Sequence, residues 1–320
     1  MKKNKFLLTL SIPTYNRADK LERLLGIIDD GSNFISNDVN VYVSNNASTD
    51  NTKEVLQKYK IIFKNKGINF SYVNHVKSIG MGGNFINVYT EPRSDYIWWC
   101  SDDDIIFTEL IPELLGILKV NRPSVLNMGF LQPPYTIENP RYQTEDFGFY
   151  QDKESIVKMI STKLTAFIVR RKTKLNIDYE FIKKSYWSHV YIALDLIFSD
   201  GGYFIYSKNI ARCDDQYLDI RYPPDALFEL KEVLHNMYSK YDINDSQINL
   251  FNKLDTVLVN LQFLKLHYTK EAVLDSKIIN LIKIKLFKLL FFQFQILRPK
   301  YFRGVLSFFY HILKRFLCKK

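Results

Sequence analysis

The chain has 320 residues, 47% of them hydrophobic, enough for one large domain or one domain with an appendage, and too apolar for global disorder. Its formal charge of +10 is unevenly spread: residues 276–320 hold eleven Lys and Arg and no Asp or Glu, and 10 − 11 leaves −1 for residues 1–275. A near-neutral body argues against a nucleic-acid partner, and the basic tail points to an anionic one. The three cysteines, Cys100, Cys213 and Cys318, lie far apart. They suggest neither a disulfide framework nor a zinc site, and fit a reducing compartment.

In chain order, Phe6 to Ile12 reads as a strand and Pro13 to Arg17 as a loop. The opening residues resemble a signal peptide only superficially, because the short apolar run meets Pro13 without a small-residue cleavage site. Leu21, Leu24, Leu25 and Ile28 then mark a helix by their i, i+3, i+4, i+7 spacing. Val39 to Val43 is a second strand, followed by the polar loop Ser44 to Asp50. Asp50 or Asn51 is positioned to cap a helix over 52–59. Phe70 to Val73 suggests a third strand, and a glycine-containing turn at Ser78–Asn84 leads into another helix. Alone, those glycines are weak evidence for a ligand, since flexible turns use the same residues.

The stretch Asp95-Tyr-Ile-Trp-Trp-Cys-Ser-Asp-Asp-Asp104 organises the rest. An aromatic-rich apolar run stops at Ser101 and three adjacent carboxylates, Asp102, Asp103 and Asp104. The run reads as a buried strand, and its C-terminal end is where open α/β sheets bind ligands. Three neighbouring negative charges call for compensation. Mg²⁺ or Mn²⁺ would supply it, often sharing phosphate oxygens with a substrate. A solvated acidic turn capping a helix after Ile105 is the alternative reading. A helix through Leu114, Leu115 and Leu118 and a strand over 124–130 complete the rhythm, and Thr165 to Arg170 and Tyr203 to Tyr206 read as further strands. The expected fold is α/β, a mostly parallel sheet flanked by helices.

Four blocks in this order resemble the signature of family 2 glycosyltransferases: Ser11-Ile-Pro-Thr-Tyr-Asn-Arg17, Val43-Ser-Asn-Asn-Ala-Ser-Thr-Asp50, Gly82-Gly-Asn84 and Ser101-Asp-Asp-Asp104. The resemblance covers residues 6–130 and continues more weakly to about residue 210. It implies the GT-A fold, with a nucleotide-sugar-binding half over 1–130 and an acceptor half over 131–215. It also implies a divalent metal and inverting transfer to a glycan or lipid-linked acceptor. By resemblance, Pro13, Thr14, Tyr15, Arg17, Gly82, Gly83 and Asn84 lie by the donor, and Asn45 and Asn46 face its base and ribose. Asp102 approaches the nucleotide sugar, and Asp103, with Asp104 beside it, holds the metal. Many relatives carry Asp at the place of Ser101, and at least one Asp in the block holding Asn45-Asn46. Where the family carries a catalytic carboxylate, at the start of a helix before a Gly-Gly turn, this chain has His189. His189 is therefore the expected general base and Asp195 the reserve; six residues, about 600° of helical rotation, separate them. A sugar nucleotidyltransferase is disfavoured by Pro13-Thr-Tyr-Asn16 in the first loop, whereas a catalytically silent scaffold with the same fold remains compatible with the missing carboxylate.

Residues 216–320 read as a helical C-terminal region. Apolar residues at helical spacing mark helices around Leu227–Met237 and Ile248–Leu261, and Phe287 to Phe316 intersperse the basic tail. No apolar run reaches the roughly 18 residues of a bilayer span. Lysines among phenylalanines fit an interfacial helix, placing the protein on the cytoplasmic membrane face. A solvated basic helix packed on the body is the other reading. If the tail is the anchor, each cation adds about 1 kcal/mol of binding to anionic lipid. Truncation after residue 275 should then release the protein from anionic vesicles in sedimentation, and equal pelleting of both forms would exclude that role.

Overall fold

The computed structural model describes residues 6–35, 37–131, 146–151, 156, 161–213 and 225–241. The expected helix at 248–261 and the basic tail 276–320 lie outside the described residues. The described strands are β1 (Phe6–Thr14), β2 (Val39–Asn45), β3 (Asn69–Asn74), β4 (Ser94–Trp99), β5 (Asp104–Ile106), β6 (Val125–Leu131), β7 (Gly148–Tyr150), β8 (Phe167–Arg170) and β9 (Tyr203–Cys213). The main helices are α1 (Ala18–Asp30), α2 (Thr52–Asn65), α3 (Gly80–Thr90), α4 (Ile111–Asn121), α5 (Tyr179–Ile182), α6 (Ser188–Asp200) and α7 (Asp225–Lys240). All nine described strands join one sheet in the order β3-β2-β1-β4-β8-β6-β9-β5, with β7 also on β9.

The first four strands are parallel, and β1 lies between β2 and β4. The chain therefore winds one way from β1 to β3 and then crosses back to β4. Beyond the C-terminal ends of strands at such a reversal is where open α/β sheets place their ligand crevice, here at β1 and β4. Period-two alternation divides the buried side chains between two cores. Leu8, Leu10, Ile12, Tyr96 and Trp98 pack toward α1, α2 and α4, while Ile97 and Trp99 pack toward α3 and α6. The two adjacent indoles thus grip β4 from opposite faces. Each buries on the order of 200 Å², or about 5 kcal/mol of gross apolar stabilisation at 25 cal/mol/Å². That anchorage fixes the strand end from which the carboxylates emerge.

Three elements differ from the sequence expectation. Asp104 does not lead directly into a helix. Instead β5 pairs antiparallel with the end of β9, Asp104 opposite Cys213, Ile105 opposite Arg212 and Ile106 opposite Ala211. A short 3-10 turn over 108–110 separates β5 from α4. β9 runs to Cys213 rather than ending near Tyr206, and its register against β6 shifts around Gly129. A Cβ on Gly129 would lie 2.7 Å from the Lys208 carbonyl oxygen, so the irregularity requires glycine there. The third difference is at 164–166, a 3-10 turn ahead of β8 in place of a continuous strand.

α7 packs onto α6. Val233 and Met237 enter the second core, and the buried Asp195 Oδ1 accepts hydrogen bonds from Lys240 Nζ at 2.6 Å and Tyr241 OH at 2.7 Å.

The first turn of α3 has a packing role. A Cβ on Gly82 would lie 2.4 Å from the Ile182 carbonyl oxygen and 2.6 Å from that of Lys183, both backbone atoms unable to swing aside. Gly82→Ala should therefore destabilise the fold by about 1–3 kcal/mol, the usual scale of overpacking. Urea denaturation checks this, and an unchanged midpoint would show that α3 can shift freely.

Candidate functional site

The site forms where β1 and β4 end. Thr14, the last residue of β1, donates through Oγ1 to Asp102 Oδ2 at 2.7 Å. Arg17, just before α1, places Nη1 2.9 Å from Asp102 Oδ1 and 3.0 Å from Asp103 Oδ2. Lys20 lies one helical turn further on, with Nζ 3.7 Å from the same Asp103 oxygen. Ser101 Oγ donates to Asp103 Oδ1 at 2.5 Å, and Arg23 Nη2 donates to the Asp103 carbonyl at 3.1 Å.

The three carboxylates have different surroundings. Asp102 is 2% exposed, and burial raises its pKa despite the opposing pull of Arg17 and the Thr14 hydrogen bond. Asp103 keeps 26% of its side chain exposed. Burial pushes its pKa up, but the Ser101 hydroxyl and the charges of Arg17, Lys20 and Lys163 outweigh this and leave it lowered. Asp104 is buried and hydrogen-bonded to Thr165 Oγ1. Burial lifts its pKa to about 7, against the pull of Lys163 and with a further push from Asp103. Asp103 is thus the most open of the three, and the one whose pKa is lowered. Asp104, expected beside the metal, is bonded to Thr165 in the turn over 164–166.

Two expected base-facing residues are committed to building loops. Asn45 Nδ2 donates to Asn74 Oδ1 at 2.8 Å, and Asn45 Oδ1 accepts from Ser48 N at 3.1 Å. Asn46 accepts from Ile79 N at 2.8 Å and donates to the Gly80 carbonyl at 3.2 Å. Both are buried. Asp50 accepts from Ala18 N through one oxygen and from Thr52 N through the other, so it serves the first turns of both α1 and α2. Its pKa is lowered, with the Thr52 and Ala18 hydrogen bonds overcoming desolvation. Asn84 is buried and donates to the Ser44 carbonyl at 3.2 Å. Gly82 packs on the 182–183 backbone and Gly83 lies against the Ile79 side chain. Pro13 is partly buried beside Thr14, whereas Tyr15 is 50% exposed at the loop surface.

His189 and Asp195 do not join Asp103. His189 is 2% exposed and lies among the rings of Phe85, Trp99, Phe167 and Trp187. Its Nε2 lies 3.0 Å from the Thr162 carbonyl oxygen, which can only accept, so the proton is assigned to Nε2. Burial lowers the imidazole pKa to about 4, partly offset by the Thr162 bond. Such a group is a weak base and is closed off from an incoming hydroxyl. Asp195 is equally enclosed and already paired with Lys240 and Tyr241. Neither residue is therefore open to the crevice in the ligand-free chain, where the sequence places the general base. The sequence reading missed Lys20, Lys163 and Thr165. Lys20 carried a signal, its i+3 spacing from Arg17; the other two come from a distant segment and carried none.

The profile of glycosyl transferase family 2 matches residues 9–182, more than half of the chain. The chain belongs to glycosyl transferase family 2. The abequosyltransferase RfbV of Salmonella typhimurium is 27% identical over 231 residues, spanning 65% of this chain and 66% of that protein, just under two thirds of its length. Among solved structures, residues 1–349 of S. aureus TarS in complex with UDP match with a TM-score of 0.57 at 14% identity, over 75% of this chain and 68% of that one. The mannosyltransferase PcManGT from Pyrobaculum calidifontis, in complex with GDP-Man and Mn²⁺, matches with a TM-score of 0.51 at 12% identity, over 76% and 66%. At such identities the likeness establishes the shared GT-A architecture.

A histidine with a folded pKa near 4, against 6.5 when unfolded, stabilises the native state above pH 6.5 and loses that contribution as pH falls toward 4. The full difference amounts to about 3 kcal/mol at 1.36 kcal/mol per pKa unit. The stability of the native protein relative to His189→Gln should therefore fall by up to that amount between pH 7 and pH 4, read from urea midpoints. A pH-independent difference would show that His189 is not held neutral.

Proposed function

We propose that this chain is a metal-dependent, inverting glycosyltransferase that moves a sugar from a nucleotide-sugar donor to a hydroxyl of a glycan or lipid-linked acceptor. The observation that carries this reading is the pairing of Asp102 and Asp103 at the end of β4 with Thr14 and Arg17 at the end of β1. This is the switch point of the sheet, where α/β proteins bind nucleotides. Surface-polysaccharide synthesis of the O-antigen type is supported by the relative named as an abequosyltransferase. A nucleotide-sugar donor and a divalent cation agree with the GDP-Man and Mn²⁺ bound by the Pyrobaculum neighbour.

The residues fit a cation held jointly with a diphosphate. Among the described residues no group of three or more His, Cys, Asp or Glu side chains converges as a metal cage. One exposed carboxylate completed by phosphate oxygens and water suits Mg²⁺ or Mn²⁺. Asp103 would hold it, and when bound it would offset the negative charge growing on the departing diphosphate. Arg17 and Lys20 bring fixed positive charge to the same crevice mouth. Thr14 holds Asp102 in one orientation for the donor sugar, and Arg17 occupies the other Asp102 oxygen in the ligand-free site. Displacement at the anomeric carbon also needs a proton acceptor for the attacking hydroxyl; His189 is instead read as a positioning residue that secures the 162–165 turn. The basic tail is read as the contact with anionic membrane on the cytoplasmic face. Among the described residues no helix is long and apolar enough to cross a membrane.

Asp103→Ala tests the site directly. In thermal-shift assays with UDP, GDP, CDP and dTDP, the native protein should be stabilised more by at least one nucleotide when Mn²⁺ is present, and the variant should lose that increment. An undiminished Mn²⁺-dependent shift in a folded variant would remove Asp103 from the metal site.

A further inference from the structure

Asp103 enters the crevice with its charge already countered. A single Arg17 nitrogen bridges Asp102 Oδ1 and Asp103 Oδ2, and Lys20 Nζ approaches that same Asp103 oxygen. The other Asp103 oxygen accepts the Ser101 hydroxyl. Both oxygens of the most open carboxylate in the cluster are therefore engaged. The Arg17 side chain is 45% exposed, however, so it can leave into the crevice without disturbing the core.

We propose that Arg17, assisted by Lys20, is a placeholder cation that occupies Asp103 until a divalent cation arrives with the donor diphosphate, and then transfers to the diphosphate oxygens. The inference rests on the donor reading above and adds an exchange to it. A guanidinium stays charged at any working pH. Two cations on one carboxylate oxygen repel each other, so a divalent cation at that oxygen weakens the hold on Arg17. The diphosphate offers the displaced guanidinium a two-oxygen partner that water cannot match. A cation alone would leave Arg17 and Lys20 without Asp103. A diphosphate alone would draw them away and leave Asp103 facing the phosphates. Only the pair satisfies every charge, so each ligand should strengthen binding of the other by the same factor. The crevice would then hold little metal between turnovers and would let product diphosphate and metal leave together.

The test uses the full-length protein and measures binding. Free Mn²⁺ is followed by electron paramagnetic resonance without nucleotide, and the best-binding nucleoside diphosphate of the UDP, GDP, CDP and dTDP panel is titrated calorimetrically in EDTA. Arg17→Gln should tighten binding of Mn²⁺ alone and weaken binding of the metal-free diphosphate, each by about tenfold, within the usual range of coupling between sites. A residue with only a structural role would weaken both. Lys20→Gln should shift both affinities in the same directions by smaller factors, and carries the test if Arg17→Gln does not fold. Unchanged Mn²⁺ binding, or loss of both ligands in a folded variant, overturns the exchange even where nucleotides bind normally. Failure of the native protein to bind any diphosphate overturns the donor reading, and the exchange with it.

Discussion

The hydrogen bond from Thr14 to Asp102, reinforced by Arg17, is the interaction on which the site depends. It joins the ends of two neighbouring parallel strands, β1 and β4, across the point where the winding of the sheet reverses. A carboxylate as buried as Asp102 is costly unless its oxygens are partnered. Here one oxygen takes a hydroxyl and the other a guanidinium. The strands have little freedom to part, because Trp98 and Trp99 fasten β4 into both cores. The strand ends are therefore fixed before any ligand arrives, by packing several residues upstream of the charges.

The same logic separates three adjacent aspartates that look alike in sequence. Asp102 and Asp104 are buried while Asp103 between them is partly open. The contrast follows from their partners: Thr14 and Arg17 hold the first, and Thr165 holds the third. Burial raises the pKa of both flanking groups, whereas the hydrogen bond and surrounding cations lower that of the middle one. Only Asp103 combines full ionisation at neutral pH with access to the crevice. A cluster of three adjacent carboxylates thus presents one partly open side chain, Asp103, to a ligand.

Much of the parallel half was legible in the sequence. β1, β2, α1 and α4 announce themselves through apolar periodicity, and the carboxylates fall at the strand end that the pattern implies. What could not be read is what depends on distant partners. β5 has three residues, too few to show a period, and exists because β9 extends to Cys213 to receive it. Asn45 and Asn46 carry the right chemistry for a nucleotide, and each also makes one donated and one accepted bond to neighbouring loops, with Asn74 and Ser48 and with Gly80 and Ile79. Position along the chain placed the loop next to Thr14; it could not show which neighbours its amides bond.

His189 carries this argument furthest. Its place in sequence suggested proton transfer, yet its surroundings favour an uncharged imidazole. Phe85, Trp99, Phe167 and Trp187 surround it, and Nδ1 meets no hydrogen-bonding partner among the described residues. The remaining polar contact is to the Thr162 carbonyl. Three residues on, Thr165 receives the Ser101 amide through Oγ1 and bonds to Asp104, while its carbonyl accepts the Trp98 indole. The imidazole therefore holds one end of the turn whose other end supports the carboxylate strand. A neutral donor suits that position: a charge there would add a desolvation cost with no counter-ion among its ring neighbours. The histidine is tied to the turn's backbone through Thr162, and its place in the chain did not reveal that contact.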